Sequence, residues 1–306
     1  MRKAPFVVIL TLVFVSTFLS GRAQKTTKED TLKYNPKRLR AILITEAALY
    51  GGSVYLLNDL WYKNYPRSSF HFFNDNKEWL QMDKIGHATT SSRIGEFGYK
   101  FLRWSGVKNN KAIWFGGSLG FIYLLNIEIL DGFSSQWGFS MGDFSANTFG
   151  AALFMGQQFA WNEQRIKLKW SYHQTIFPDY RPDLLGKGIT ETWLKDYNGQ
   201  TYWLSCNISS FLRKGSRFPA WLNVAVGYGA EGMLGGYSNP ETHNGVALPY
   251  YERYRQLFLA PDIDFTKIKT RSKFLADVFY ALNILKCPAP TLEFSQKKIH
   301  FRPLYF

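Results

Sequence analysis

Cysteine is nearly missing from this chain. Only Cys206 and Cys287 occur among 306 residues, which excludes a disulfide-built scaffold and leaves room for one bridge at most. Acidic residues are also scarce, 23 against 37 Lys and Arg. The excess positive charge lies in scattered groups (Lys25 to Lys28, Lys33 to Arg40, Lys108 to Lys111, Lys267 to Lys273) with no stacking motif beside them. That pattern argues against nucleic acid and for a membrane surface or another anionic envelope component as partner. Sharp catalytic signatures are lacking too. Gly227-Tyr228-Gly229-Ala230-Glu231-Gly232 follows strand alternation without opening a helix, so it is no phosphate loop. His71, His173, His243 and His300 show no ligand spacing.

What is present is apolar and aromatic: 46% hydrophobic residues, 18% Phe, Trp and Tyr. At the N-terminus, Arg2 and Lys3 precede an apolar run from Ala4 to Val15 broken only by Thr11, and Gly21 and Ala23 supply small residues at a cleavage site. This reads as a secretory leader over 1–23, cleaved after Ala23, and places the protein in the cell envelope, periplasm or outer membrane. No cysteine stands at the junction to carry a lipid. A polar linker over 24–37 is expected next, then a helical domain over 38–162 and a β domain over 163–306.

The helical domain reads as four helices: Arg38 to about Asp59, about Asn76 to Trp104, Lys111 to Asp131, and Asp143 to about Trp161, the last capped by Gly142-Asp143. The third is apolar over Ala112 to Leu130 and nearly long enough to cross a bilayer. A compact bundle resting on or partly in a membrane is the preferred reading, with a spanning arrangement as the alternative. Beyond Asn162 the period shifts to two, with alternating segments around Ile166–Tyr172, Tyr202–Ile208, Leu222–Tyr228, Leu257–Phe265, Leu292–Phe294 and Ile299–Phe301, interrupted by one helix from about Ser272 to Lys286. The fold class is therefore α+β: an N-terminal four-helix bundle, then an antiparallel sheet or partial β-barrel with one C-terminal helix. The terminal Tyr305-Phe306 and the strand lengths resemble outer-membrane barrels, but six strands and Pro303 fit a full barrel poorly.

Three polar stretches interrupt the apolar helices: Asp83-Lys84-Ile85-Gly86-His87, Glu128-Ile129-Leu130-Asp131-Gly132-Phe133, and Gly142-Asp143 with Asn147 and Gly150. Asp83 and His87 are four apart, Glu128 and Asp131 three, Asp143 and Asn147 four, so each pair shares a helix face. Buried polar groups need partners, and each unpaired one costs about 1–3 kcal/mol. Three readings stay open. One is a metal site of unidentified ion. Another is acid–base chemistry by His87, Asp83, Glu128, Asp131 and Asp143, with Ser134, Ser140 or Ser91 as nucleophile. The third is a structural network with Lys84 and Arg93 as counter-charges. Asn147, Ser134 and Ser140 are the candidate ligand-binding residues. The residues do not say which cofactor, metal or other, the chain takes.

These motifs resemble a family of predicted periplasmic lipoproteins of unknown function and, more distantly, VanZ-like membrane proteins, in which a D-K-x-x-H segment precedes an acidic pair and a D-x-x-x-N-x-x-G helix. The resemblance runs from about Ile42 to Trp161. It departs from the lipoproteins in lacking a lipidated cysteine, and from the VanZ-like proteins in its leader and strand-rich second half, which looks like exported proteins of Bacteroidetes-type bacteria. It implies an envelope protein of unknown activity, whose polar bundle site is structural or binds a ligand. The alternative is an envelope hydrolase, with or without metal, acting on lipid or cell-wall material.

Overall fold

The computed structural model of the chain describes residues 33–60, 66–213 and 215–306. The expected leader lies outside the described residues, as does most of the expected linker. The chain forms two compact units. One comprises the described residues up to Asn76 with His87–Gln164, the other Lys77–Gly86 with Arg165–Phe306.

The first unit is helical. Helix α1 spans Pro36–Leu60, starting two residues earlier than the sequence indicates because Asn35 Oδ1 accepts the Arg38 amide at 3.0 Å. Helix α2 spans Met82–Trp104. The apolar stretch expected as one helix is two, α3 Asn109–Gly117 and α4 Leu119–Asp131. The break falls where poor helix formers Gly116 and Gly117 meet Ser118, whose hydroxyl donates back to Trp114 O at 2.6 Å. Residues Asn109–Asp131 are apolar enough to cross a membrane by length and composition, but the described residues do not form the four uninterrupted helices expected. Helix α5 spans Met141–Trp161.

Two short strands, β1 Phe72–Phe73 and β2 Phe139–Ser140, pair in parallel and tie the aromatic segment before α2 to the start of α5. Tyr99, Leu102, Ala112, Ile113 and Phe154 form the unit's core. Glycine lets the helices approach closely: a Cβ on Gly150 would stand 2.0 Å from Ala88 O, and one on Gly120 2.0 Å from Ser91 O.

The second unit is a six-stranded antiparallel sheet, with β3 Ile166–Tyr172, β4 Gln200–Asn207, β5 Leu222–Glu231, β8 Tyr254–Ile263, β9 Ala289–Ser295 and β10 Lys298–Tyr305 in the order β10-β9-β8-β5-β4-β3. All six alternating segments of the sequence are strands. Between β3 and β4 stand short helices α6 Phe177–Tyr180, α7 Pro182–Leu185 and α8 Ile189–Lys195; between β5 and β8 a small hairpin, β6 Thr242–His243 with β7 Val246–Ala247. Helix α9, Lys273–Leu282, is capped by Ser272 Oγ, which accepts the Leu275 amide. The sheet is not closed into a barrel. Cys206 and Cys287 are free thiols.

Two features depart from the sequence pattern. The helix expected from about Asn76 begins only at Met82, because Trp79, Leu80 and Gln81 hold φ of 47°, 51° and 68°. Such left-handed backbone costs roughly 1–2 kcal/mol per non-glycine residue. It is held by Gly236 O, which accepts the Trp79 amide at 2.8 Å, and by burial of Met82 with Ala230 and Met233. The second feature is the sheet's sidedness. Around a small core of Trp203, Ala225, Phe258 and Ala260, the residues that face inward along the strands are largely polar, including Lys167, Lys169, Ser171, Ser205, Asn207, Asn223, Gln256, Asp262, Thr291 and Glu293, all buried.

Candidate functional site

The polar cluster of the helical unit is assembled by three helix ends. Helix α2 supplies His87 in its second turn, the last turn of α4 supplies Glu128 and Asp131, and the first two turns of α5 supply Asp143 and Asn147. Ser140 organises the start of α5. Its Oγ accepts the Asp143 amide at 3.1 Å and donates to Asp75 Oδ1 at 2.6 Å, while its backbone N–H donates to Glu128 Oε2 at 3.2 Å. The N-cap is therefore Ser140 and not Gly142-Asp143 as the sequence suggests; Asp143 stands in the first turn, in a Ser-x-x-Asp arrangement. Its hydroxyl is engaged in this cap and with Asp75.

His87 is central. Its Nδ1 lies 3.1 Å from Asn147 Oδ1 and 3.7 Å from Glu128 Oε1, and its Nε2 lies 3.9 Å from Asp143 Oδ1. The imidazole is 20% exposed, whereas the Glu128 and Asp143 side chains are buried, so the ring is the member of the group that meets solvent. Asn147 is fully buried, and its backbone carbonyl accepts the Ser91 hydroxyl at 2.7 Å. Ser91 thus ties α2 to α5. The Asn147 Nδ2 atom has no hydrogen-bond partner among the described residues.

Electrostatics follow from the burial. Glu128 is pushed up to about 8, first by desolvation, then by the neighbouring Asp143 charge; Asp131 raises it further, and His87 and the Ser140 amide oppose the shift. A carboxyl group held near 8 keeps its proton at neutral pH.

The remaining candidates are placed as follows. Asp83 stands one turn before His87 on α2; Tyr197 Oη donates to its Oδ1 at 2.6 Å and Lys84 Nζ lies 3.2 Å from its Oδ2. Asp131 O accepts the Ser134 amide at 2.9 Å, and Ser134 Oγ accepts the Gln136 amide at 3.2 Å. Both thus shape the turn after α4, and Asp131 acts on Glu128 through its charge. Arg93 pairs with Glu96 at 2.8 Å. Asp75 is a member that no sequence signal marked. It lies in an irregular aromatic segment, and only the β1–β2 pairing brings it to Ser140.

A family model described as a predicted periplasmic lipoprotein (DUF2279) matches residues 71–156. The match takes in all nine candidate positions, from Asp83 to Asn147. It supports the likeness to a periplasmic family of unknown activity and carries nothing for the VanZ-like one. No curated protein and no solved structure compared with the chain matches it.

Proposed function

We propose that the chain is an envelope protein whose helical unit binds a divalent metal ion at His87 and Asp143, with Glu128 and Asn147 supporting the imidazole from behind. One observation carries this reading. With Asn147 Oδ1 as acceptor at 3.1 Å, His87 carries its proton on Nδ1, and its Nε2 lone pair then faces the Asp143 carboxylate across 3.9 Å. In the neutral ring these two lone pairs repel, and a cation joins them: a proton on Nε2 makes an ion pair, and a divalent metal ion makes a coordination site. Metal–ligand bonds of about 2.1 Å set neighbouring ligand atoms roughly 3–3.5 Å apart, so a shift of about half an ångström completes the geometry. A metal-bound histidine whose other nitrogen is fixed by an amide oxygen or carboxylate is the usual outer-shell arrangement. Asp83, one turn earlier on the same helix, is the next carboxylate along that face. A histidine with carboxylates favours Zn, Mn or Fe over Ca or Mg.

The envelope location rests on the leader-like N-terminus and on the description of the matched family. A second reading, hydrolysis of lipid or cell-wall material, is favoured by the exposure of the His87 ring and by a carboxyl group titrating near 8 beside it. Such a group serves well as acid or base near neutral pH.

Calorimetric titration with Mn²⁺ and Zn²⁺ at pH 7.5 tests the primary reading. One equivalent should bind to the wild-type chain, and His87→Ala and Asp143→Asn should each weaken binding at least tenfold while the far-UV spectrum stays unchanged. Binding that is absent, or indifferent to both substitutions, contradicts it.

A further inference from the structure

The six-stranded sheet turns inward a small core of Trp203, Ala225, Phe258 and Ala260 together with many buried polar side chains, and turns outward an unbroken set of apolar ones. Its inward face carries a hydrogen-bonded polar network: Lys169 Nζ lies 2.7 Å from Asp262 with both side chains fully buried, Ser205 donates to Asp262 at 2.6 Å, Asn223 to Ser205 at 2.8 Å, and Gln256 to Glu293 at 3.0 Å. Its outward face carries the apolar residues. The register aligns Leu204, Val226, Leu259, Leu292 and Phe301 in one row across five neighbouring strands, with Leu257, Phe294 and Ile299 in the next. All eight are exposed, from 38% at Leu292 to 68% at Ile299. A soluble sheet buries its apolar face and wets the polar one. A sheet that faces lipid does the reverse.

We infer that this outward face lies against the acyl chains of a membrane with anionic headgroups. The inference is independent of the metal reading, which concerns the helical unit alone. Charge and aromatic placement identify the occupant. The segments after β4 and after β8 leave the sheet at the same end, since Asn207 pairs with Asn223 and Leu222 with Ile263. Both are basic: Arg213 and Arg217 in one, Lys269, Arg271 and Lys273 in the other, all exposed. Over 208–221 there is no acid, and over 264–274 only the buried Asp264. Exposed Phe211, Trp221 and Phe274 stand among these cations. Helix α9, amphipathic with Phe274, Leu275 and Leu282 exposed, starts from the same end. Cations and aromatic rings at the border of an apolar band match the headgroup zone of an anionic membrane.

The sheet's edges are partly masked: Trp170 N–H on β3 donates to Ile284 O at 3.1 Å and its carbonyl accepts the Lys286 amide at 2.9 Å, while the other edge strand, β10, carries Pro303, which has no N–H to leave unpaired.

The test uses the full chain, with Cys206→Ser and Cys287→Ser, labelled with an environment-sensitive fluorophore at Val226→Cys, Leu259→Cys or, as an exposed loop control, Asn244→Cys. It is mixed with phosphatidylglycerol or phosphatidylcholine vesicles. Brominated acyl chains should quench the labels at 226 and 259 but not at 244, with aqueous iodide giving the opposite order. Iodide quenching at 226 and 259 in the presence of vesicles overturns the inference. So does a lipid-free, water-soluble dimer that shields both labels, which would make a second copy the occupant. Neutralising Lys269, Arg271 and Lys273 with Gln should lower partition into phosphatidylglycerol vesicles about 100-fold, taking about fivefold per cation. An unchanged partition overturns the assignment of anionic headgroups.

Discussion

Glu128 makes the folded chain sensitive to pH in a direction opposite to that of most carboxylates. An ordinary Glu titrates near 4.5, and here burial and the Asp143 charge move it to about 8. Between those values the folded protein holds a proton that the unfolded chain has released. Stability contributed by this group is therefore full below about 4.5, falls as pH rises, and levels off above about 8. The shift is 3.5 units at about 1.36 kcal/mol each, which sets an upper bound of about 5 kcal/mol; rearrangement around an ionised Glu128 brings the expected loss to about 2–5 kcal/mol. Glu128→Gln removes the titration but keeps an oxygen for the Ser140 amide. Urea unfolding of both proteins at half-unit steps from pH 5 to 9, without metal, gives the difference curve that isolates this residue. The variant should match the wild type near pH 5 and exceed it by about 2–5 kcal/mol at pH 8.5. A difference that does not change with pH, or a variant less stable than the wild type at pH 8.5, refutes the reasoning, the latter by showing Glu128 ionised and favourably paired.

Other consequences are as direct. Asn147→Ala leaves His87 without its Nδ1 partner and should weaken Mn²⁺ or Zn²⁺ binding 10–100-fold in a calorimetric titration, as loss of an outer-shell partner generally does. Gly150→Ala places a methyl 2.0 Å from Ala88 O; it should force α2 and α5 apart and lower stability by about 2 kcal/mol or more in thermal unfolding, whereas the same change at Gly156, where nothing lies within 4 Å, should be neutral or stabilising. In the sheet, Lys169→Met alone leaves Asp262 buried without its ion pair and should cost about 3–5 kcal/mol, while Lys169→Met with Asp262→Leu should recover much of the loss in urea titrations.

How far the sequence reaches differs between the two units. Period-two alternation is a local signal, and it located all six long strands, while the helix expected from about Ser272 to Lys286 is the shorter α9. Alternation carries no sign, however: it shows that a strand has two unlike faces and not which one turns inward, so the buried Lys169–Asp262 pair was not legible. Helix periodicity found the helical segments but missed two breaks. Gly116-Gly117-Ser118 is a weak local signal inside a strongly apolar run, and the left-handed turn at Trp79–Gln81 is held by Gly236, far along the chain, so no local pattern encodes it. The polar positions His87, Glu128, Asp143 and Asn147 stood out because each interrupts an apolar helix. Ser140-x-x-Asp143 was legible as a cap but was overshadowed by Gly142-Asp143. Asp75 was not legible, because a two-residue strand pairing places it.

The central claim, a divalent ion between His87 and Asp143, is tested most directly by the metal content of the full chain purified from envelopes in mild detergent without chelators. Elemental mass spectrometry of wild type and His87→Ala, prepared side by side, should find close to one equivalent of a transition metal in the wild type and little in the variant. A wild-type chain free of metal, or equal metal in both proteins, would contradict the claim and leave the cluster as a hydrogen-bonded network that fixes how α2, α4 and α5 meet.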